Sequence, residues 1–159
     1  MEPFGTTVFC DDIRFETFNK ISLVGIYGPE LIHFSKFPLW LPKFGIYISV
    51  RFPGNYKIDG AKFLMYFPGD PEDAPTSTID LPWKTDGISP MPDPKDFPDL
   101  INVYGFNQHF IFSPITIKQA GYIRIRILEG TNRIKIGVLK LREATSAEII
   151  SMQAPEPTA

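Results

Sequence analysis

Two runs of strict apolar/polar alternation flank a cluster of turn formers in the last third of the chain. In Gly121–Leu141, Ile123, Ile125 and Ile127 share one face and Arg124 and Arg126 the other. After Glu129-Gly130-Thr131-Asn132, the return run places Ile134, Ile136 and Val138 on the apolar side with Arg133 and Lys135 between them. Period-two patterning around a Gly/Asn turn predicts a half-buried antiparallel hairpin. The same rule marks Phe44 to Phe52, with Phe44, Ile46, Ile48, Val50 and Phe52 on one face. It also marks Lys62 to Phe67, and Tyr104 to Phe112 with Phe106, Phe110 and Phe112 inward. Thr6 to Asp12, Lys20 to Tyr27 and Leu31 to Phe34 are shorter candidates, separated by a turn at Glu16–Asn19 and by Gly28-Pro29. Pro38 and Pro42 read as punctuation.

Seven to nine strands with short turns and no crossover helix predict an all-β fold. The expected form is an antiparallel β-sandwich of immunoglobulin-like or C2-like shape, with a small β-barrel as the alternative closure. The predicted core is Phe44, Ile46, Ile48, Val50, Phe63, Phe106, Phe110, Ile123, Ile125 and Ile136. One domain over 1–143 is expected, since 159 residues suffice for one core and neither an internal repeat nor a second compositional break is visible. Only Glu143 to Met152 has a helix-like composition. The segment 144–159 is expected to be a disordered C-terminal tail, polar and Pro-rich from Gln153 onward.

Pro68 to Asp99 departs from the alternation. It holds eight of the sixteen prolines, and eight acids against Lys84 and Lys95, a net of −6. A connection this long is usually functional. Ser77 to Leu81 can form one short strand within it. The hairpin from Gly121 to Arg142 carries six basic residues against Glu129, a net of +5. Opposite fields of that size attract, so part of the loop is expected across the basic face.

The overall charge of −2 gives no general case for nucleic acid or an anionic membrane. No apolar run reaches the eighteen residues a membrane span needs, and the Met-Glu-Pro-Phe opening lacks the form of a signal peptide. A single cysteine, Cys10, excludes an internal disulfide, and a cytoplasmic location is the expectation.

Candidate chemistry is thin. Nucleophilic catalysis would have to draw on Cys10, His33 and His109, and Cys10 sits among core-like neighbours, where a free thiol behaves as a small hydrophobe. Two histidines and one cysteine do not make a structural zinc site. Asp11-Asp12 and the acidic loop offer oxygen ligands for Ca²⁺, but without the alternating spacing of a calcium loop, so solvated turns are the better reading. Gly25-Ile-Tyr-Gly28 is no phosphate loop, because no Lys-Ser/Thr and no helix follows it. No cofactor and no metal are expected. The pattern with geometry behind it is Arg124, Arg126, Arg133 and Lys135, which crowd one side of two adjacent strands and form a candidate surface for a polyanion. A solvated outer face is its bland counterpart. Tyr47, Tyr104, Trp40 and Trp83 are aromatic candidates for a contact patch.

The segment Phe9-Cys-Asp-Asp-Ile-Arg14 followed by Lys20-Ile-Ser-Leu-Val-Gly-Ile-Tyr27 resembles the opening of a family of short, uncharacterised bacterial proteins. A looser likeness spans Ser113 to Leu141. The resemblance implies a small cytoplasmic β-domain and no reaction. The expectation is therefore a non-enzymatic protein-binding or assembly module with an unknown protein partner, and with neither nucleic acid nor membrane. The alternative is an enzyme or ligand-binding protein, carbohydrate-binding or calcium-dependent, with a site under the 68–99 loop.

Overall fold

The computed structural model describes residues 3–53, 56, 60–81 and 103–153. Trp83, the acidic loop beyond Leu81, the turn formers Gly54, Asn55 and Asp59, and the tail residues 154–159 lie outside them.

The apolar runs form strands where the alternation places them, often a few residues longer than predicted. The first half contributes β1 (Phe4–Phe15), β2 (Ile21–Ile26), β3 (Glu30–His33), β4 (Leu39–Leu41) and β5 (Phe44–Pro53). The remainder contributes β6 (Lys62–Tyr66), β7 (Ser77–Asp80), β8 (Val103–Phe112), β9 (Ile115–Ile117), β10 (Gly121–Glu129), β11 (Asn132–Glu143) and the helix α1 (Ser146–Gln153). One sheet has the order β2-β1-β5-β8 and a second the order β3-β11-β10-β6-β7, while β4 and β9 form a small separate ladder. The result is all-β and sandwich-like, and among the described residues neither sheet closes into a barrel.

The core sits between the two larger sheets. Phe44, Ile46, Ile48 and Val50 meet Phe63, Ile123, Ile125 and Ile136, all buried. Phe63 packs edge-on against the half-buried rings of Phe106 and Phe110, at 5.9 and 6.0 Å between centroids. All ten predicted core positions thus face the interior.

Four features depart from the sequence reading. The first is a β-bulge in the long hairpin. Ile125 pairs with Gly137 but Arg126 pairs with Lys135, so Ile136 is an extra residue and the alternation reverses beyond it. Val138, expected inward, is 60% exposed, and Leu139 and Leu141 take the core positions instead. The cause lies in the other sheet. Thr7 Oγ1 donates to the Ile136 carbonyl at 3.0 Å, and a Cβ on Gly137 would stand 2.4 Å from Thr7. The Thr7 side chain of β1 therefore lies against β11 where only glycine fits.

Second, β3 pairs with β11 in parallel, so the sandwich is not purely antiparallel. Third, the β4–β9 ladder carries no signal in the sequence, because three-residue strands beside prolines hold too little alternation. It nevertheless buries Leu39 and Ile117. Fourth, the segment expected as a tail from 144 onward begins with a helix, α1, which falls where Glu143 to Met152 has its helix-like composition. Thr145 and Glu148 cap it reciprocally: the Thr145 amide donates to Glu148 Oε2 at 2.8 Å, and the Glu148 amide to Thr145 Oγ1 at 3.3 Å. No helix among the described residues is long and apolar enough to cross a membrane.

Candidate functional site

Because Ile123, Ile125 and Ile127 point inward, Arg124 and Arg126 must point out from the second sheet. Arg126 lies opposite Lys135 on β11, and Arg133 lies opposite Leu128. On the other side of β10, Tyr66 pairs with Arg124. The Tyr66 ring forms a floor under both guanidiniums, with Arg124 Cζ 4.6 Å and Arg126 Cζ 5.6 Å from its centroid. Three of the four predicted surface residues, Arg124, Arg126 and Arg133, converge on one acceptor.

That acceptor is Glu72, from the start of the acidic loop. Its Oε1 takes bonds from Arg124 Nη1 at 2.5 Å and Arg126 Nη2 at 3.0 Å. Its Oε2 stands 3.7 Å from Arg133 Nη1. The loop backbone is held too: Arg124 donates to the Asp70 carbonyl at 2.8 Å, and Arg133 to the Glu72 carbonyl at 2.7 Å. Tyr66, itself fully buried, donates its hydroxyl to that same Glu72 carbonyl at 3.0 Å. Asp70 closes the loop by accepting the Phe67 and Thr76 amides, each at 2.8 Å. Burial raises the Asp70 carboxyl, but the bonds from Thr76 and Phe67 and the field of Arg124 outweigh it, and the net displacement is downward.

The neutralisation is incomplete. Among the described residues, Glu72 is the only carboxylate within ion-pair distance of these cations. Arg126 Nε is buried without any hydrogen-bond partner, a condition that costs about 1–3 kcal/mol. Lys135 is exposed and lines a groove of about 450 Å³ together with Gly5, Arg124, Arg126 and Val138. The glutamate side chain is 53% exposed, so it covers the face from the solvent side.

The other candidates have local duties. Asp11 accepts the Tyr27 hydroxyl, and it stands where a side chain on Gly25, at φ +65°, would be. Asp12 pairs with Lys43 at 3.2 Å and Arg14 at 3.5 Å, and Lys43 first and then Arg14 hold its carboxyl below the ordinary range. Cys10 is buried, its Sγ directed at the Asp12 and Gly45 carbonyls, and burial raises its thiol pKa. His33 bonds the Ser35 backbone, and His109 packs edge-on against Phe15 at 4.8 Å. Trp40 is 59% exposed and Tyr47 half-buried. Beneath the start of the acidic loop lies a groove of about 400 Å³ lined by Phe67, Asp70, Thr76, Phe112 and Lys118. Its carboxylate, Asp70, is already committed to two amides.

Sequence reasoning missed a second ionic cluster. Arg142 Nε bonds Glu30 at 2.7 Å, and its two terminal nitrogens grip Glu148 at 2.8 and 2.7 Å. Lys140 adds a bond to Glu30 at 2.7 Å. The Thr145-x-x-Glu148 spacing was the available signal. Compared with known protein families, curated proteins and solved structures, the chain finds no match.

Proposed function

We propose that this chain is a non-enzymatic protein-binding module that offers the basic face of the β10–β11 hairpin to an acidic segment of a partner protein. Glu72 occupies that face in the meantime as an internal competitor. The observation that carries the reading is the arithmetic of the face. Among the described residues, one carboxylate sits among three guanidiniums, with the exposed Lys135 next to them on the hairpin. Exposed ion pairs are worth only about 0–1 kcal/mol each, so a partner with more acids can replace the glutamate. Steering by the cationic face would speed the encounter at low salt. A cytoplasmic setting and kinship with small bacterial β-domains belong to the same proposal, supported by the opening motif.

Titration of the ¹⁵N-labelled chain with an Asp/Glu-rich peptide at low salt tests the reading. The expected result is movement of the Arg124, Arg126 and Arg133 side-chain signals, tighter binding by Glu72→Gln, and weaker binding by Arg133→Ala. Shifts confined to other surfaces would overturn it. So would a duplex oligonucleotide that occupies the same residues more tightly than the peptide.

A further inference from the structure

The cationic face offers more donors than a carboxylate has oxygens. Arg124 Nη1 and Arg126 Nη2 both use Glu72 Oε1, and Oε2, at 3.7 Å from Arg133, lies beyond hydrogen-bond reach. Among the described residues, Arg126 Nε–H finds no acceptor, and no carboxylate lies within ion-pair distance of Lys135. We propose, resting on the reading above, that the acidic group for which this face is built is a phosphate monoester on a side chain of the partner protein. A phosphoryl group presents three terminal oxygens in a tetrahedral array and carries about −1.5 to −2 at neutral pH. One oxygen can take Arg124 Nη1 and another Arg133 Nη2, while Arg124 Nη2 and Arg133 Nη1 stay on the loop carbonyls, and the third is left for Arg126.

Space and charge agree with this. The groove beside Arg126 is about 450 Å³ and is walled by Arg124, Arg126 and Lys135, with no acid among the described residues that line it. Among the described residues, three guanidiniums meet one monoanion in the covered state and Lys135 beside them meets none, leaving the face short of negative charge. A dianion reduces that deficit where a glutamate side chain does not, and planar guanidinium forks match phosphate oxygens two at a time. Arg126 is the discriminating residue. Its side chain is only 14% exposed over the Tyr66 ring, so its fork is held in place before a ligand arrives.

The test uses the full chain and four probes: a labelled Gly-Ser peptide with one central phosphoserine, the same peptide with Glu or Ser there, and inorganic phosphate. Binding is read by fluorescence anisotropy or displacement, and the Arg126 Nε–Hε signal by NMR. The phosphoserine peptide should bind at least about tenfold more tightly than the Glu peptide and shift that signal. Its affinity should fall as pH drops through about 6, where the phosphate loses its second charge. Glu72→Gln should strengthen both acidic peptides. Arg126→Lys should narrow the gap between them, with Arg133→Lys as a second, more exposed variant. Equal affinity for phosphoserine and Glu peptides overturns the phosphate inference and leaves the acidic-partner reading standing. No binding of either, to wild type or to Glu72→Gln, overturns both. Inorganic phosphate as tight as the phosphopeptide overturns the assignment to a protein-borne group.

Discussion

The β10–β11 hairpin carries two ionic clusters built from the same residue types, and they are balanced differently. At the Arg142 end, two cations meet two carboxylates: Lys140 and Arg142 share Glu30, and Arg142 also grips Glu148. Every nitrogen of Arg142 has an acceptor there, the third being the Glu143 carbonyl at 3.2 Å from Nη1. At the Arg126 end, among the described residues, three guanidiniums meet one carboxylate and one nitrogen has no acceptor. A neutral, saturated cluster gains nothing from a further anion, so it serves as a clasp that ties β3 and α1 to β11. An undersaturated one stays attractive to anions after folding. Composition alone does not separate the two, because each is a run of alternating basic residues. The placement of partners from distant loops does.

The largest expected effect removes the scaffold that both clusters share. Ile125 is fully buried at the hairpin centre, one residue before the bulge. Ile125→Ala should destabilise the protein by about 2–5 kcal/mol, through lost transfer energy and the cavity left behind. Chemical denaturation measures it. A change under about 1 kcal/mol would mean that the core relaxes freely around the site and that the two clusters are not held by a common hairpin.

The scaffold itself was legible because burial on one face imprints period two on the sequence, as in Phe44–Phe52 and Ile123–Ile127. Local alternation fails where the cause is distant. Thr7, about 130 positions away from Gly137, dictates the bulge that turns Val138 outward, and nothing near Val138 announces it. The basic face was legible as charge spacing on two strands. That Glu72 would lie on it depended on the short turn closed by Asp70, on Tyr66 and on the Arg133 contact with the loop backbone. The clasp went unread because it joins Glu30, Arg142 and Glu148, three segments with no shared pattern.

A smaller effect separates the clusters by acid titration. Arg142 first, and then the Thr145 amide and hydroxyl, hold the Glu148 carboxyl well below its ordinary value of 4.5. Lys140 first, then Arg142, lower Glu30. A carboxyl whose folded pKa is depressed binds fewer protons folded than unfolded, so its contribution is fully present above the unfolded value. It is lost as pH falls below about 4.5 toward the folded value. Hydrogen exchange in α1 should therefore accelerate on acidification in that window, and Glu148→Gln should show the fast exchange already at neutral pH. An α1 whose protection is the same in wild type and variant would remove the clasp from the comparison.

The smallest effect is the one that decides what the undersaturated cluster is for. Glu72 is 53% exposed and bonds its arginines from the solvent side, so Glu72→Gln should change global stability by no more than about 1 kcal/mol. The amide keeps one acceptor oxygen and loses the charge. Backbone exchange over 68–73 should nevertheless rise, since the charge-assisted part of the cover is gone while the carbonyl contacts of Asp70 and Glu72 remain. Salt of about 1 M, where the screening length falls to about 3 Å, should imitate the substitution in the wild type and add little to the variant. The Arg142 clasp, closed by two parallel bonds to one carboxylate, should respond less to the same salt. A loss of several kcal/mol in Glu72→Gln would make the Glu72 cover a structural element like the clasp. A face that must be covered for the fold to stand has no exchangeable ligand to give up, and the distinction between the two clusters would then disappear.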